Sequence, residues 1–335
     1  MSSEVIHKVS VVIPVYQGEK TLPSLLAEID ALTGANLSPD KNIWSIAEVV
    51  LVYDNGPDKS DIIIRQLAET YQYIKPVWLS RNFGQHTATL AGIASTGSEW
   101  IVTIDEDGQQ NPVDIGSLLD SAITNQAPLV YAKPTNEAPH GFLRNSASKL
   151  SKLLVKTLLG SSNSVHYNSF RLILGEVGRS ASAYAGNGVY LDVALGWVAS
   201  PIATAPVELR EEGDRRSGYT GRKLLSHFWR MVVSSGTRSL RFISLLGVIV
   251  ALLGVLMAIF LVINKLTSPE VQVGWTSTVT IMLFTSGLTM FSLGVIAEYL
   301  GVAVNMAMGR PLYLVTSDPH DGPLKKAPGS EDNRL

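Results

Sequence analysis

The feature that most constrains this 335-residue chain is Phe242–Ile263 (FISLLGVIVALLGVLMAIFLVI), a 22-residue apolar run without a single charge. A helix needs about 20 such residues to cross the hydrocarbon core of a bilayer. A second uncharged run, Trp275–Ala297, carries more Thr and Ser, whose hydroxyls can bond back to helix carbonyls. Asn264–Gly274 between them is long enough only for a turn. The pair reads as a transmembrane hairpin, with spans at about 242–263 and 275–297 inside a membrane segment 242–308. The competing reading is a pair of buried core helices in a soluble domain. A signal peptide is excluded, because Met1–Ser10 has no apolar stretch. Lys223, Arg230, Arg238 and Arg241 precede the first run, and Arg310, Lys325 and Lys326 follow the second. By the positive-inside rule both termini are expected in the cytosol. The expected organisation is that of a two-span protein of the cell membrane: a cytosolic domain 1–220, a segment 221–241, the hairpin, and a cytosolic tail 309–335. Residues 221–241 mix Leu224, Leu225, Phe228 and Trp229 with Lys223, His227 and Arg230. That mixture suggests an amphipathic helix lying in the lipid interface, with a packed surface helix of the soluble domain as the alternative.

Charge narrows the partners. Lys and Arg number 27 against 29 Asp and Glu, too even a balance for a protein whose main partner is nucleic acid. The chain has no cysteine, which excludes disulfides, zinc–thiolate and iron–sulfur sites and a thiol nucleophile. Charged residues make up 17% of the chain, against about 25% in an ordinary soluble one. Between Phe242 and Met308 only Lys265, Glu270 and Glu298 are charged, so the deficit is local to the expected hairpin.

Upstream, strand and helix signals alternate. Val9–Val15 is a β-branched run, and Thr21–Leu32 follows with Leu22, Leu25, Leu26, Ile29 and Leu32 at helical spacing behind a capping Thr21. Val49–Tyr53 reads as a strand, Ser60–Tyr71 as a helix behind a capping Ser, and Val77–Leu79 as a third strand. A helix near Gln85–Ser95, a strand Trp100–Ile104, a helix Pro112–Thr124 and a strand Leu129–Ala132 continue the series. This alternation predicts an α/β fold with a mostly parallel sheet and helices on both faces. Ligands bind such sheets at the carboxyl ends of strands, hence just after Val15, Tyr53, Leu79 and Ile104. No GxGxxG follows the first strand and no GxxxxGK[ST] occurs, so dinucleotide and P-loop chemistry lose their main support.

Asp105-Glu106-Asp107-Gly108-Gln109 directly follows the fourth of these strands. Two carboxylates at i and i+2 on a turn that Gly permits can converge on a hard divalent cation, Mg²⁺ or Mn²⁺, which also takes substrate phosphate oxygens. The alternative is a solvated acidic turn. Asp54-Asn55-Gly56-Pro57-Asp58 is a turn sequence in which Asp54 could accept from a base N–H or a ribose hydroxyl, or simply shape an Asx turn. Arg81 and Asn82 add a cation and an amide on the same rim.

VSVVIPVYQGEKTL, LSRNFGQHTATLAGIASTG, IDEDGQQNP and Ser169-Phe170-Arg171-Leu172 together resemble glycosyltransferase family two. The closer likeness is to its polyprenyl-phosphate branch, which includes dolichyl-phosphate mannose synthase and bacterial bactoprenol glucosyltransferases. RRSGYTGRKLL at Arg215–Leu225 looks like that branch's basic loop, and LGVIAEYLG with GRPLY looks like the end and exit of its second membrane helix. The resemblance implies the nucleotide-diphosphosugar-binding glycosyltransferase A-type fold, a nucleotide-diphosphosugar donor, a polyprenyl phosphate acceptor, Mg²⁺ or Mn²⁺, and inversion at the anomeric carbon. It implies Asp105, Asp107 and Gln109 as metal ligands, with Asp107 also catalytic and Asp105 also against the donor. Pro14, Tyr16, Asp54, Arg81 and Asn82 fall to substrate binding. Arg171 matches an arginine near the donor and acceptor phosphates. Arg215, Arg216 and Lys223 match a loop that closes over phosphate, with Ser217 and Tyr219 of its S-x-Y in substrate contact.

The chain departs from the family pattern at four places: Tyr53-Asp54-Asn55-Gly56-Pro57 in the second-strand motif, Gln110 and Ser169 where acids are usual, and Arg215 where Gly is usual. Uridine and guanosine donors both stay open, although a UDP-hexose is the commoner case in the branch. A phosphate monoester, with its second pKa near 6, is nucleophilic at neutral pH and needs no strong base. Catalysis then reduces to positioning and electrostatics. Transfer to a lipid hydroxyl, or a non-catalytic nucleotide-sugar-binding membrane subunit, are the rival functions. Gly247, Gly254, Gly287 and Gly294 would let the spans pack into a homo-oligomer.

Overall fold

The computed structural model describes residues 5–136, 167–186, 189–210, seven single positions between 249 and 263, 274–309 and 311–321. The loop cations Arg215, Arg216 and Lys223, together with Ser217 and Tyr219, lie outside the described residues, as does the segment 221–241.

Among the described residues, one nine-stranded sheet organises the fold. Its strands are β1 (His7–Val15), β2 (Asn36–Leu37), β3 (Ile43–Tyr53), β4 (Ile74–Leu79), β5 (Trp100–Thr103), β6 (Leu129–Pro134), β7 (Arg171–Leu174), β8 (Ile202–Val207) and β9 (Val315–Thr316). The order is β8-β6-β7-β5-β1-β3-β4-β9, with β2 beside β3. The segment β4-β3-β1-β5 is parallel throughout. Beyond it the expected mostly parallel sheet is mixed, with β6 and β8 still parallel but other pairs reversed. Strand β7 runs antiparallel to both β5 and β6, and β9 antiparallel to β4. The sheet is mixed because β7 enters as a return strand from a long connection rather than as a right-handed crossover.

Among the described residues, the continuous α-helices are α1 (Leu22–Asp30), α2 (Ser60–Thr70), α3 (Gln85–Ala94), α4 (Ile115–Asn125), α5 (Gly175–Tyr184), α6 (Leu191–Val198) and α7 (Trp275–Ala307). Pleating sends alternate strand residues to opposite faces, and the two faces carry separate cores. Val11, Ile13 and Leu51 meet Leu22, Leu25, Leu26 and Ile29 of α1 and Leu118 and Leu119 of α4. Val12, Val50 and Val52 meet Ala88, Ala91 and Ile93 of α3 and Leu191 and Leu195 of α6. Each fully buried Leu or Ile contributes roughly 2 kcal/mol. The expected caps are not used as caps. Thr21 precedes α1 without a side-chain capping bond. Ser60 is the first residue of α2, and its hydroxyl bonds Asp58 Oδ1 at 2.6 Å and accepts from the Gly18 amide. That hydroxyl therefore joins two loops of the rim rather than one helix end.

Over the described residues, no helix is long and apolar enough to cross a membrane. In α7, which runs 33 residues, several side chains fall outside that description. Those described expose Ile281, Met282, Phe284, Met290, Phe291, Leu293, Ile296 and Leu300. The described positions of the first apolar run, Ile249, Leu252, Leu253, Leu256, Ile259, Phe260 and Ile263, are helical and also exposed.

After α7 the chain returns to the sheet. Strand β9 pairs Val315 with Leu79 and Thr316 with Trp78, and the Ser80 amide donates to the Leu314 carbonyl at 2.9 Å. Arg65, lying over the Trp78 ring, donates through Nε and Nη2 to the two oxygens of Asp318 at 2.7 and 2.9 Å. Burial opposes ionisation of Asp318, but hydrogen bonds and charge from Arg65 and the His320 amide outweigh it and hold its pKa below the ordinary 3.8. A carboxyl easier to ionise in the folded state stabilises it above that ordinary value and ceases to as the pH falls through the lowered one. Asp318→Asn is therefore expected to lower thermal stability at pH 7 and to cost progressively less below pH 3.8. The matching signature is faster hydrogen exchange at the Ser80 amide in the variant.

Candidate active site

The parallel order β4-β3-β1-β5 places four loop starts side by side at one edge of the sheet, and carboxylates lace them together. Asp54, just past β3 and 3% exposed, donates its amide to the Val15 carbonyl at 2.8 Å. Its two oxygens accept the Phe83 and Gly84 amides at 2.7 and 2.8 Å. Burial pushes its pKa up, against the pull of those two amides. Glu106 binds the first loop in the same way, accepting from the Tyr16 amide at 2.9 Å and the Gln17 amide at 3.0 Å. The loops approach so closely that a Cβ on Gly56 would lie 1.6 Å from the Tyr16 carbonyl oxygen, which accounts for glycine at that turn.

Asp105 follows β5 at the centre of this rim. Its Oδ2 accepts from Ser169 Oγ at 2.5 Å and Gln110 Nε2 at 3.1 Å, and its Oδ1 from Gln85 Nε2 at 2.6 Å. Burial raises its pKa; the Ser169 hydrogen bond counters this and the neighbouring Asp107 charge adds to it. Gly108 takes the left-handed φ of 74° that turns the chain back. Asp107, half-exposed, accepts the Gln109 amide at 3.1 Å, and the Gln109 carbonyl accepts the Arg210 amide.

Behind Asp105 lies a second buried group. Arg171, at the start of β7 and 3% exposed, donates to Asp192 of α6 and, through Nε, to Thr103 Oγ1 at 3.1 Å. Asp192, 2% exposed, also accepts from Tyr131 OH at 2.8 Å. Burial works against the charge on Arg171, but Asp192 outweighs it and holds the guanidinium protonated.

Of the residues singled out in the sequence, Asp54, Asp105, Asp107, Gln109 and Tyr16 come together on one rim, with Pro14 buried in β1 behind them. Arg81 and Asn82 are exposed on the same edge, and the Arg81 guanidinium lies 4.7 Å from the Phe83 ring centroid. Arg171 does not point outward to phosphate. Its guanidinium is committed to Asp192. Sequence reasoning passed over Glu106, Gln85 and Asp192. Asp192 does leave a trace, as the one charged residue between Ala185 and Val207, and lone charges in apolar stretches are rarely buried without a partner.

An open mixed sheet with carboxylates gathered at the carboxyl ends of its parallel strands is a GT-A-like α/β fold. Residues 10–176 match the family model described as glycosyl transferase family 2, and the chain belongs to that family. It is 28% identical over 327 residues to the undecaprenyl-phosphate 4-deoxy-4-formamido-L-arabinose transferase of Photorhabdus laumondii, covering 94% of this chain and 95% of the relative. The transferase of the same name from Yersinia enterocolitica is 28% identical over 322 residues, covering 93% and 94%. Among solved structures, glucosyl-3-phosphoglycerate synthase from Mycobacterium tuberculosis in complex with Mn²⁺, UDP and glucosyl-3-phosphoglycerate overlaps 69% of this chain and 80% of its own. The TM-score is 0.48 and the identity 17%.

Proposed function

We propose that the protein transfers a sugar, with inversion, from a nucleotide-diphosphosugar to a polyprenyl phosphate at the cytosolic face of a membrane. One observation carries the choice of acceptor. Apart from Asp105 and Asp107, three carboxylates at or behind the rim already have donors: Asp54 the Phe83 and Gly84 amides, Glu106 the Tyr16 and Gln17 amides, and Asp192 the Arg171 guanidinium. A lipid hydroxyl would need one of them as a base, whereas a phosphate monoester arrives already ionised. The names of the two relatives, both undecaprenyl-phosphate sugar transferases, support the same acceptor class.

The donor set on the turn fits a hard divalent cation, since Asp105 and Asp107 supply carboxylate oxygens and Gln109 an amide oxygen. Among the described residues no group of three or more His, Cys, Asp or Glu could hold a metal ion. Mg²⁺ and Mn²⁺, however, commonly take one or two carboxylates and fill their shell with phosphate oxygens and water. When bound, such an ion would supply positive charge to the departing nucleoside diphosphate. The protein's own part is to orient the donor with Asp54, Arg81 and Asn82 along the rim. The acceptor phosphate falls to the cations of the 215–223 loop.

The apolar faces at 249–263 and in α7 belong, on this reading, to a two-span hairpin that keeps the active site beside the acceptor's lipid tail. The basic residues flanking them favour cytosolic termini. The test is to incubate the full-length protein with polyprenyl phosphate, Mn²⁺ or Mg²⁺ and a panel of labelled nucleotide-sugars, then extract the lipid. A lipid-linked sugar that disappears with EDTA and returns with added Mn²⁺ is the expected result. Product on a hydroxylated lipid, and none on polyprenyl phosphate, would overturn the proposal.

A further inference from the structure

Asp105 is gripped by three uncharged side chains from three separate parts of the chain: Gln85 from the start of α3, Gln110 from its own turn, and Ser169 from the approach to β7. Two of the three also bind each other. Gln110 Nε2 donates to Ser169 Oγ at 2.9 Å as well as to Asp105 Oδ2, and Gln110 Oε1 accepts the Asp105 amide at 3.0 Å. Gln110 thus fixes Asp105 at backbone and side chain together, and it is itself only 5% exposed. Ser169 is anchored in turn, because its carbonyl accepts from Thr103 Oγ1, which itself accepts from Nε of Arg171 in the Arg171–Asp192 pair.

The geometry points to Ser169 and Gln110 as a coupled pair of positioning residues that set the orientation of the Asp105 carboxylate for donor and cation binding, with Gln85 steadying its second oxygen. This rests on the proposed glycosyl transfer, since it concerns how that site is held. A freely rotating aspartate would have to be ordered each time a diphosphate and its cation arrive. Here Oδ2 is directed by two donors and Oδ1 by a third, which leaves one Oδ1 acceptor site outside the clamp for a cation. Side chains that orient a metal-ligating carboxylate commonly change cation affinity about 10- to 100-fold when removed. Since the pair acts on the same oxygen and on each other, losing either should undo most of what both provide.

The test uses the full-length protein in detergent and the variants Ser169→Ala, Gln110→Met, their combination, and Ser169→Thr. Two quantities are followed besides turnover: Mn²⁺ affinity of the nucleotide-free protein by calorimetry, and Tm. Each single variant is expected to weaken Mn²⁺ binding about tenfold and to raise KM for the donor more than it lowers kcat. The double variant should be little worse than either single one, and Thr should restore affinity to within about threefold of wild type, since the hydroxyl is kept. The Tm losses should be sub-additive in the same way. Single variants with unchanged Mn²⁺ affinity, or losses that multiply as for two independent sites, would overturn the inference. Wild-type protein that binds no Mn²⁺ and makes no lipid product would instead overturn the functional reading. The Tm cycle would then still decide whether the pair acts as one unit.

Discussion

Asp107→Asn is expected to abolish nearly all sugar transfer while leaving the fold intact. Asp107 is half-exposed and its carboxylate accepts only a local amide among the hydrogen bonds it is seen to make, from Gln109 at 3.1 Å. An asparagine side-chain oxygen can keep that bond, so the turn at Gly108 should persist and Tm should move little. The lost negative charge is another matter. On the proposed mechanism it helps hold the cation that offsets charge on the departing diphosphate, and interactions made at that stage act directly on the rate. A drop of about a thousandfold in kcat/KM corresponds to about 4 kcal/mol of transition-state stabilisation. The assay is lipid-extractable label from nucleotide-sugar and polyprenyl phosphate, run beside a melting curve. A variant within tenfold of wild type would remove Asp107 from the catalytic machinery.

The second large effect is on stability. Asp192→Ala strands the Arg171 guanidinium in a site that is 3% exposed, with Thr103 Oγ1 as a remaining neutral partner. Removing one member of a buried ion pair typically costs about 3–5 kcal/mol, whereas replacing both by apolar residues of similar size is often nearly neutral. For a domain of this size that cost corresponds to a fall in Tm of about 10 °C. The double variant Arg171→Met/Asp192→Leu should recover most of it. It should not recover activity, because the positive charge of Arg171 beside Asp105 is gone. Recovery of both would show that the pair serves the core alone. A single variant costing less than about 1 kcal/mol would mean that water reaches Arg171.

The parallel half of the fold was legible in the sequence because its signals are local. Val9–Val15 and Val49–Tyr53 are β-branched runs, and the apolar residues of α1 recur at helical spacing; both patterns survive into β1, β3 and α1. The position of the site was legible for a related reason. Parallel strands bring their carboxyl ends to one edge, so residues just past Val15, Tyr53, Leu79 and Ile104 must meet. What each side chain does there was less legible. Arg171 reads in sequence as a phosphate ligand, yet its partner Asp192 lies 21 residues away on another element. No local pattern announces such a pairing. Gln110 and Ser169 likewise look like isolated departures until their 2.9 Å contact is seen. The antiparallel β7 and β9 escaped for the same reason, since pairings set by long connections carry no periodicity.

Strand β9 also orders events in time. It pairs with β4 across more than 230 residues of chain, and everything between them, including both apolar helical segments, must be synthesised first. During translation the outer edge of β4 therefore stays unpaired by β9, and Arg65 keeps only its Asp61 partner of the two carboxylates, until residues 315–318 emerge. The sheet is finished last, after both apolar segments have left the ribosome. A chain stalled or truncated before Val315 would carry every residue of the rim and still present an open strand edge to its neighbours, a setting in which aggregation competes with folding.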